Sequence, residues 1–407
     1  MDMDEFSSVL NGCDNFLLRR AVERLREGLF DPFAVQLLTA RESLLNKVFD
    51  AGANSLSRNE SPHLCVCGSY GQGKSHSLTY LRERARKQGF VSSFINLDPR
   101  EIPFHDFRQV YRALVESIRF PDSDDTLAQY WKKWNKEHTG ADCIPDSMPH
   151  FFKSVLTALA SKNLRLSQKQ KNLKKHATFR PREFPWMLAN ALKGEVLPVF
   201  RLRHALKYRE VPFYKDASLV CKGWEPYFQA VCSFSEMFQN MGFKGWVLFF
   251  DEGESIVQRP VNIRRKSYTI LDRFFSPVSS QAGLYPIFAF TNDFFMQVRG
   301  EDYDRVVIKN EQEQPYFEKD YGELWNRLTC HNLHDLVAQD WHDLSKKLIC
   351  LHAGAYAWEP SAQTISDITT AATKATVGQE ARLKIKALVE HLDLVQQGIV
   401  LSNPDNL

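Results

Sequence analysis

Residues Gly68-Ser69-Tyr70-Gly71-Gln72-Gly73-Lys74-Ser75 fit the pattern G-x-x-x-x-G-K-[ST], and few eight-residue stretches restrict a fold as strongly. Backbone N–H groups must curl toward one point, which glycines permit and side chains obstruct. The pattern works where a strand runs into the loop and a helix leaves it, so that the positive end of the helix meets an anion. Both flanks have that character: His63-Leu-Cys-Val-Cys67 reads as a short apolar strand and residues 75–87 as a helix. Average residue usage makes such a match about a one-in-a-hundred event in a chain of this length. The loop is therefore a candidate cradle for the phosphates of ATP, with contacts from Gly68 through His76. Lys74 is expected on the β- and γ-phosphates and Ser75 on Mg2+.

Three further apolar runs read as strands. Residues 89–97 are flanked by the turn signals Gly89 and Asp98-Pro99. Trp246-Val-Leu-Phe-Phe250 and Tyr285-Pro-Ile-Phe-Ala-Phe290 are continuous, as strands buried on both faces are. The first of these two ends in Asp251-Glu252. An acidic residue often closes a buried strand, but after a phosphate loop this pair suits a hydrolysis site. Asp251 would hold Mg2+ through water and Glu252 would act as general base on the attacking water; Glu254 reads as solvated. Asn292, after the next strand, suits a polar sensor near the γ-phosphate, with Thr291 as its alternative. The order of loop, acidic strand and polar strand end is that of ATPases which insert a strand between the two motifs. The expected fold is thus a three-layer α/β P-loop NTPase of the AAA+/ASCE type, built on a parallel sheet.

Asp251 lies 177 positions after Lys74, more than a bare core needs, so a helical insertion is expected at about 121–241. The expected domains are an N-terminal helical segment (1–57), an ATPase core (58–322) containing that insertion, and a C-terminal all-helical lid (323–407). Within the N-terminal segment, residues 33–49 read as one helix and 54–62 as a polar loop. Two basic stretches fall in the insertion: Lys162 to His176 (with Arg165, Lys169, Lys171, Lys174 and Lys175) and Arg201 to Arg209 (with Arg203, His204 and Lys207). They are candidate contacts for DNA phosphates, and equally read as solvated helix faces. ATPases of this kind use an arginine from a neighbouring subunit or the lid. Arg273, on the helix before the sensor strand, is the candidate catalytic arginine, and Arg327 and Arg382 are lid alternatives; such a finger would make the chain a homo-oligomer.

Composition adds exclusions. A net charge of +3 is too mild to mark a nucleic-acid binder by itself. The eight cysteines are scattered without a C-x-x-C pair; Cys65 and Cys67 alternate onto one strand face and read as small buried side chains. Reduced thiols, an acidic start without a signal peptide, and no run near about eighteen apolar residues point to a soluble, cytoplasmic protein without a membrane span.

With these motifs placed, the chain resembles the BREX-system ATP-binding proteins of the BrxD kind, found with bacterial phage-defence genes. The stretches that carry the resemblance are Arg19-Arg-Ala-Val-Glu-Arg-Leu-Arg-Glu-Gly28, the phosphate loop with His76, Asn96-Leu-Asp-Pro-Arg-Glu-Ile102, Gly242-Phe-Lys-Gly-Trp-Val-Leu-Phe-Phe-Asp-Glu-Gly-Glu254 and Ala387-Leu-Val-Glu-His-Leu-Asp-Leu394. The resemblance implies an AAA+-type ATPase working beside a helicase or methyltransferase in defence. Two departures stand out. A Pro-Arg pair is expected before the last helix, where this chain has Glu380-Ala-Arg382, which puts a sensor role for Arg382 in doubt. The short stretch after that helix leaves no room for a terminal winged-helix DNA reader, so DNA contact is expected from core or insertion. Two functions compete: an ATP-hydrolysing motor or switch acting on DNA, and an ATP-controlled recruitment module that hydrolyses slowly and touches no DNA. A phosphate-loop kinase is disfavoured by Asp251-Glu252 and by the lack of an acceptor site.

Overall fold

The computed structural model describes residues 3–29, 31–138, 140–161, 183–208, 219–277, 281–307, 315–374 and 381–399. Among the described residues there are five strands: β1 (Leu64–Cys67), β2 (Val91–Asn96), β3 (Trp246–Asp251), β4 (Leu284–Phe290) and β5 (Cys330–Asn332). They form one sheet in the order β2-β3-β4-β1-β5, and the remainder is largely helical, a mixed α/β fold. β2, β3 and β4 run parallel, with Val91 opposite Trp246, Asn96 opposite Asp251 and Phe250 opposite Phe288. Every residue of β3 and β4 is buried, which explains why these strands are unbroken apolar runs rather than alternating ones.

Contacts divide the chain into two compact units. The larger comprises Ala51–Cys65 and Arg84–Thr329. Its core is aromatic: Phe250 stacks on Phe288 at 4.3 Å and 7°, and Phe274 packs edge-on against Phe288 and tilted against Phe250 and Phe107. Offset and edge-to-face rings satisfy their quadrupoles in such a cluster. Between β2 and β3 the chain makes a series of helices. Helix Phe107–Glu116 packs on β2, and helix Glu225–Asn240 on β3 and β4. Helices Leu127–Glu137, His150–Ala160 and Glu183–Leu192 pack together, and Trp131 Nε1 donates to Leu156 O across 2.9 Å.

The smaller unit gathers Met1–Asp50, Val66–Glu83 and Cys330–Leu407. Helices Asn15–Arg26, Pro32–Leu38, Ala338–Tyr356, Ala362–Thr373 and Ala381–Gln396 share one hydrophobic core around Val22, Leu348, Ala355 and Val389. Arg26 closes it with two bonds to Asp393, at 2.7 and 2.8 Å. His352, fully buried, accepts at Nδ1 from Trp358 Nε1 (2.9 Å) and therefore donates from Nε2 to Asp393 (2.9 Å).

Three local expectations need correction. The stretch 33–49 is two helices, Pro32–Leu38 and Glu42–Ser57, broken at Thr39–Arg41. Arg41 sits in the left-handed region at φ +52, and its guanidinium is paired with Asp340. The second helix runs on to Ser57, four residues into the stretch expected to be a loop. The stretch after 323 is not wholly helical, since it contains β5, whose neighbour Leu333 donates its N–H to Cys67 O at 2.7 Å.

Candidate phosphate-binding site

β1 ends at Cys67 and a helix begins at Lys74, extending to Lys87; the connecting loop, Gly68 to Gly73, lies in the smaller unit. The leading N–H groups of any helix lack an intrahelical acceptor, and here that positive end opens onto the loop. Gly71 and Gly73 have φ of +80 and +91, which a side chain resists. Gly68 is tight for another reason: a Cβ there would stand 3.0 Å from Gln72 Oε1 and 3.1 Å from Leu333 Cβ.

Lys74 is buried, and its Nζ reaches back to Gly68 O at 3.2 Å and Ser69 O at 3.3 Å. The ammonium therefore lies over the loop it belongs to. Gln72 stiffens the bend by accepting from Ser69 N–H (2.7 Å) and donating to Asp335 Oδ1 (2.8 Å). Tyr70 projects to solvent, while Ser75 is half-buried in the first turn. Ser77, one turn into the helix, donates its hydroxyl to Gly73 O at 2.9 Å.

His76 turns its ring toward Thr39, with Nε2 2.8 Å from Oγ1. The Thr39 hydroxyl donates to Val35 O, so its one proton is used and His76 Nε2 must be the donor. Burial pushes this imidazole down to about 4, and it is a neutral strut between the phosphate-loop helix and the Thr39–Arg41 break.

In the larger unit, Asp251 is the last residue of β3 and is buried. Its carboxylate accepts from Glu252 N–H at 3.0 Å, and its carbonyl accepts from Leu97 N–H at 3.0 Å. Glu252 is left-handed, at φ +56 and ψ +39, a region that costs a residue with a Cβ. Gly253 then starts a short 3-10 turn to Ile256. A Cβ on Gly253 would lie 2.6 Å from the Phe290 ring and 2.7 Å from Ala289 O, so the turn rides directly on the end of β4. Because β3 and β4 are parallel neighbours, Asp251-Glu252 and Thr291-Asn292 lie at the carboxyl ends of adjacent strands. Thr291 caps helix Asn292–Arg299, and Asn292 is its exposed first residue. Glu254 is half-buried.

Arg273 is exposed on helix Val261–Phe275. Arg327 and Arg382 are also exposed. The stretch from Lys162 to His176 lies outside the described residues. Most of the second basic stretch is helix Val199–Tyr208, with Arg203 half-buried and Lys207 exposed; Arg209 lies outside the described residues.

One group behind the acidic turn was not legible in the sequence. Arg264 is buried and bonds Asp302 through Nη2 (2.6 Å) and Val257 O through Nη1 (2.9 Å). Tyr268 donates to the other oxygen of Asp302 at 2.6 Å. Burial raises the Asp302 carboxyl above its usual range, with Tyr268 and Arg264 opposing. Arg264 and Tyr268 are one helical turn apart, but Asp302 lies 38 and 34 positions from them, too far for any local pattern to join it to the pair.

A family model described as BREX system ATP-binding protein BrxC/D matches residues 22–141 and 224–403. The chain belongs to this family. The BrxC/D match takes in the phosphate loop, Asp251, Glu252 and Asn292, and is interrupted from 142 to 223. No curated protein and no solved structure matches. No helix among the described residues is long and apolar enough to cross a membrane.

Proposed function

We propose that this chain is an AAA+-type ATPase that binds Mg-ATP on Gly68 to His76 and hydrolyses it, as a cytoplasmic component of a bacterial phage-defence system. The observation that carries the reading is the loop itself: two left-handed glycines, a helix beginning inside the motif, and a buried lysine folded back over the bend. Membership of a family of ATP-binding proteins supports it. The AAA+ assignment draws on the sheet order, in which β4 stands between β1 and β3.

In this reading Lys74 neutralises the β- and γ-phosphates. The Ser75 hydroxyl and the Asp251 carboxylate are hard oxygen donors of the kind Mg2+ takes when phosphate and water complete its shell. Glu252 removes the proton of the attacking water, Asn292 orients the γ-phosphate, and Arg273 serves a neighbouring copy in a homo-oligomer. The proposed domains are 1–57, a core over 58–322 with the insertion at about 121–241, and a lid over 323–407; the interrupted family match favours such an insertion. DNA would meet the basic stretches of that insertion, and a helicase or methyltransferase is the proposed partner.

Phosphate release from Mg-ATP, with and without duplex and single-stranded DNA, tests the reading on wild type, Lys74→Ala and Glu252→Gln. Wild type is expected to turn over. Lys74→Ala should lose ATP binding, and Glu252→Gln should bind ATP but release phosphate about 100-fold or more slowly, the usual contribution of a general base. Retained binding in Lys74→Ala would overturn the assignment of the loop. Binding without turnover in wild type would leave an ATP-controlled recruitment module. DNA affinity that ignores salt and the neutralisation of Lys169, Lys171, Lys174 and Lys175 would remove DNA from the account.

A further inference from the structure

Glu252 holds a backbone conformation that a residue with a Cβ adopts only when its surroundings impose it. Four contacts do so. Asp251 accepts from its N–H, Ser255 N–H donates to its carbonyl at 3.0 Å, Gly253 is wedged on Phe290, and Arg264 grips Val257 O at the far end of the turn. The first two are local, and the third seats the turn on β4. Arg264 extends the tie further, to a helix beyond β4.

Helix Val261–Phe275 presents Arg264 and Tyr268 one turn apart, on one face. Both converge on Asp302, on helix Glu301–Val307, which follows β4 and helix Asn292–Arg299. Glu301 adds a longer contact to Arg264 at 3.8 Å. The side chains of Arg264 and Asp302 are 7% and 2% exposed. A charge pair this deeply buried is poor evidence of a stability device, since well-packed apolar side chains often do as well. Its fixed geometry is what an apolar replacement could not supply. Through it, the turn after β3 is tied to the helices after β4.

We propose that Arg264, oriented by Asp302 and Tyr268, is a positioning residue for Glu252: it fixes the 252–257 turn and so the attitude of the Glu252 carboxylate toward the attacking water. The proposal rests on the reading of Glu252 as general base.

The test is a double-mutant cycle on the full chain, with kcat, KM, ATP dissociation constant and melting temperature measured for wild type, Arg264→Lys, Glu252→Gln and the double variant. Arg264→Lys keeps the charge but loses the fork that reaches two acceptors. Its kcat is expected to fall 10- to 100-fold with ATP affinity within about twofold. In the Glu252→Gln background the same substitution should cost no further turnover, because the carboxylate it positions is gone. Full kcat in Arg264→Lys, or an equal loss in both backgrounds, overturns the proposal. Wild-type turnover in Glu252→Gln overturns the base reading, and this proposal with it. Tyr268→Phe leaves the ion pair in place and removes one bond to Asp302. It carries the same comparison if Arg264→Lys does not fold, with a several-fold fall in kcat expected only where Glu252 is present.

Discussion

His76 donates from Nε2 to Thr39, in surroundings where a second proton on its ring would be costly. Its ordinary pKa of 6.5 falls to about 4 through burial. Between those values the unfolded chain binds a proton that the folded chain refuses, so stability rises with pH. The contribution is complete above pH 6.5 and is lost as pH falls toward 4. His76→Gln keeps an N–H donor for Thr39 and does not titrate. Thermal melts of the two proteins should therefore diverge on acidification, with wild type losing ground to the variant between pH 7 and pH 5. Parallel losses would show that the ring is not held neutral. The sequence singled out His76 only as the residue that closes the phosphate loop and its expected ATP contacts. Its partner lies 37 positions away, and no spacing rule links them.

β3 and β4 were legible because burial on both faces leaves no polar residue to interrupt the pattern, so Trp246 to Phe250 and Tyr285 to Phe290 announce themselves. β5 was not. Its three residues are Cys330, His331 and Asn332, with half-buried or exposed side chains, and backbone hydrogen bonding alone puts it in the sheet. The break at Thr39–Arg41 was hidden for the opposite reason, since Val35, Leu38 and Leu45 keep an apolar rhythm across it. The acidic turn falls between these cases. Asp251 and Glu252 could be read, but the left-handed backbone and the Arg264 group could not, since both depend on tertiary contacts. A strand as central as β3 should be intolerant of truncation. Phe250 is fully buried against Phe288, Phe274 and Phe104, so Phe250→Ala is expected to lower the free energy of unfolding by about 3–5 kcal/mol. Denaturant titration measures this, and a loss below about 1 kcal/mol would contradict so tight a ring cluster.

The family match leaves out 142–223, yet part of that stretch is built into the larger unit. Phe152 packs against Tyr111, Tyr227 and Phe234, all within the matched regions. Tyr111 donates its hydroxyl to Leu192 O at 2.6 Å. Replacing 142–223 by a short linker should therefore expose that aromatic surface and lower the melting temperature by roughly 10 °C or more, given about 2–4 °C per kcal/mol for a unit of this size. An unchanged melting temperature would make the stretch a mere appendage. The smaller unit has a different consequence. Its core joins Asn15–Arg26 to Ala381–Gln396, and Arg26 meets Asp393 across 367 positions of chain. A ribosome adding about 5–20 residues per second makes the phosphate loop roughly 15–60 seconds before the helix that completes this core. Through that interval the nascent loop has no finished unit to belong to, so nucleotide capture must be largely a post-translational event.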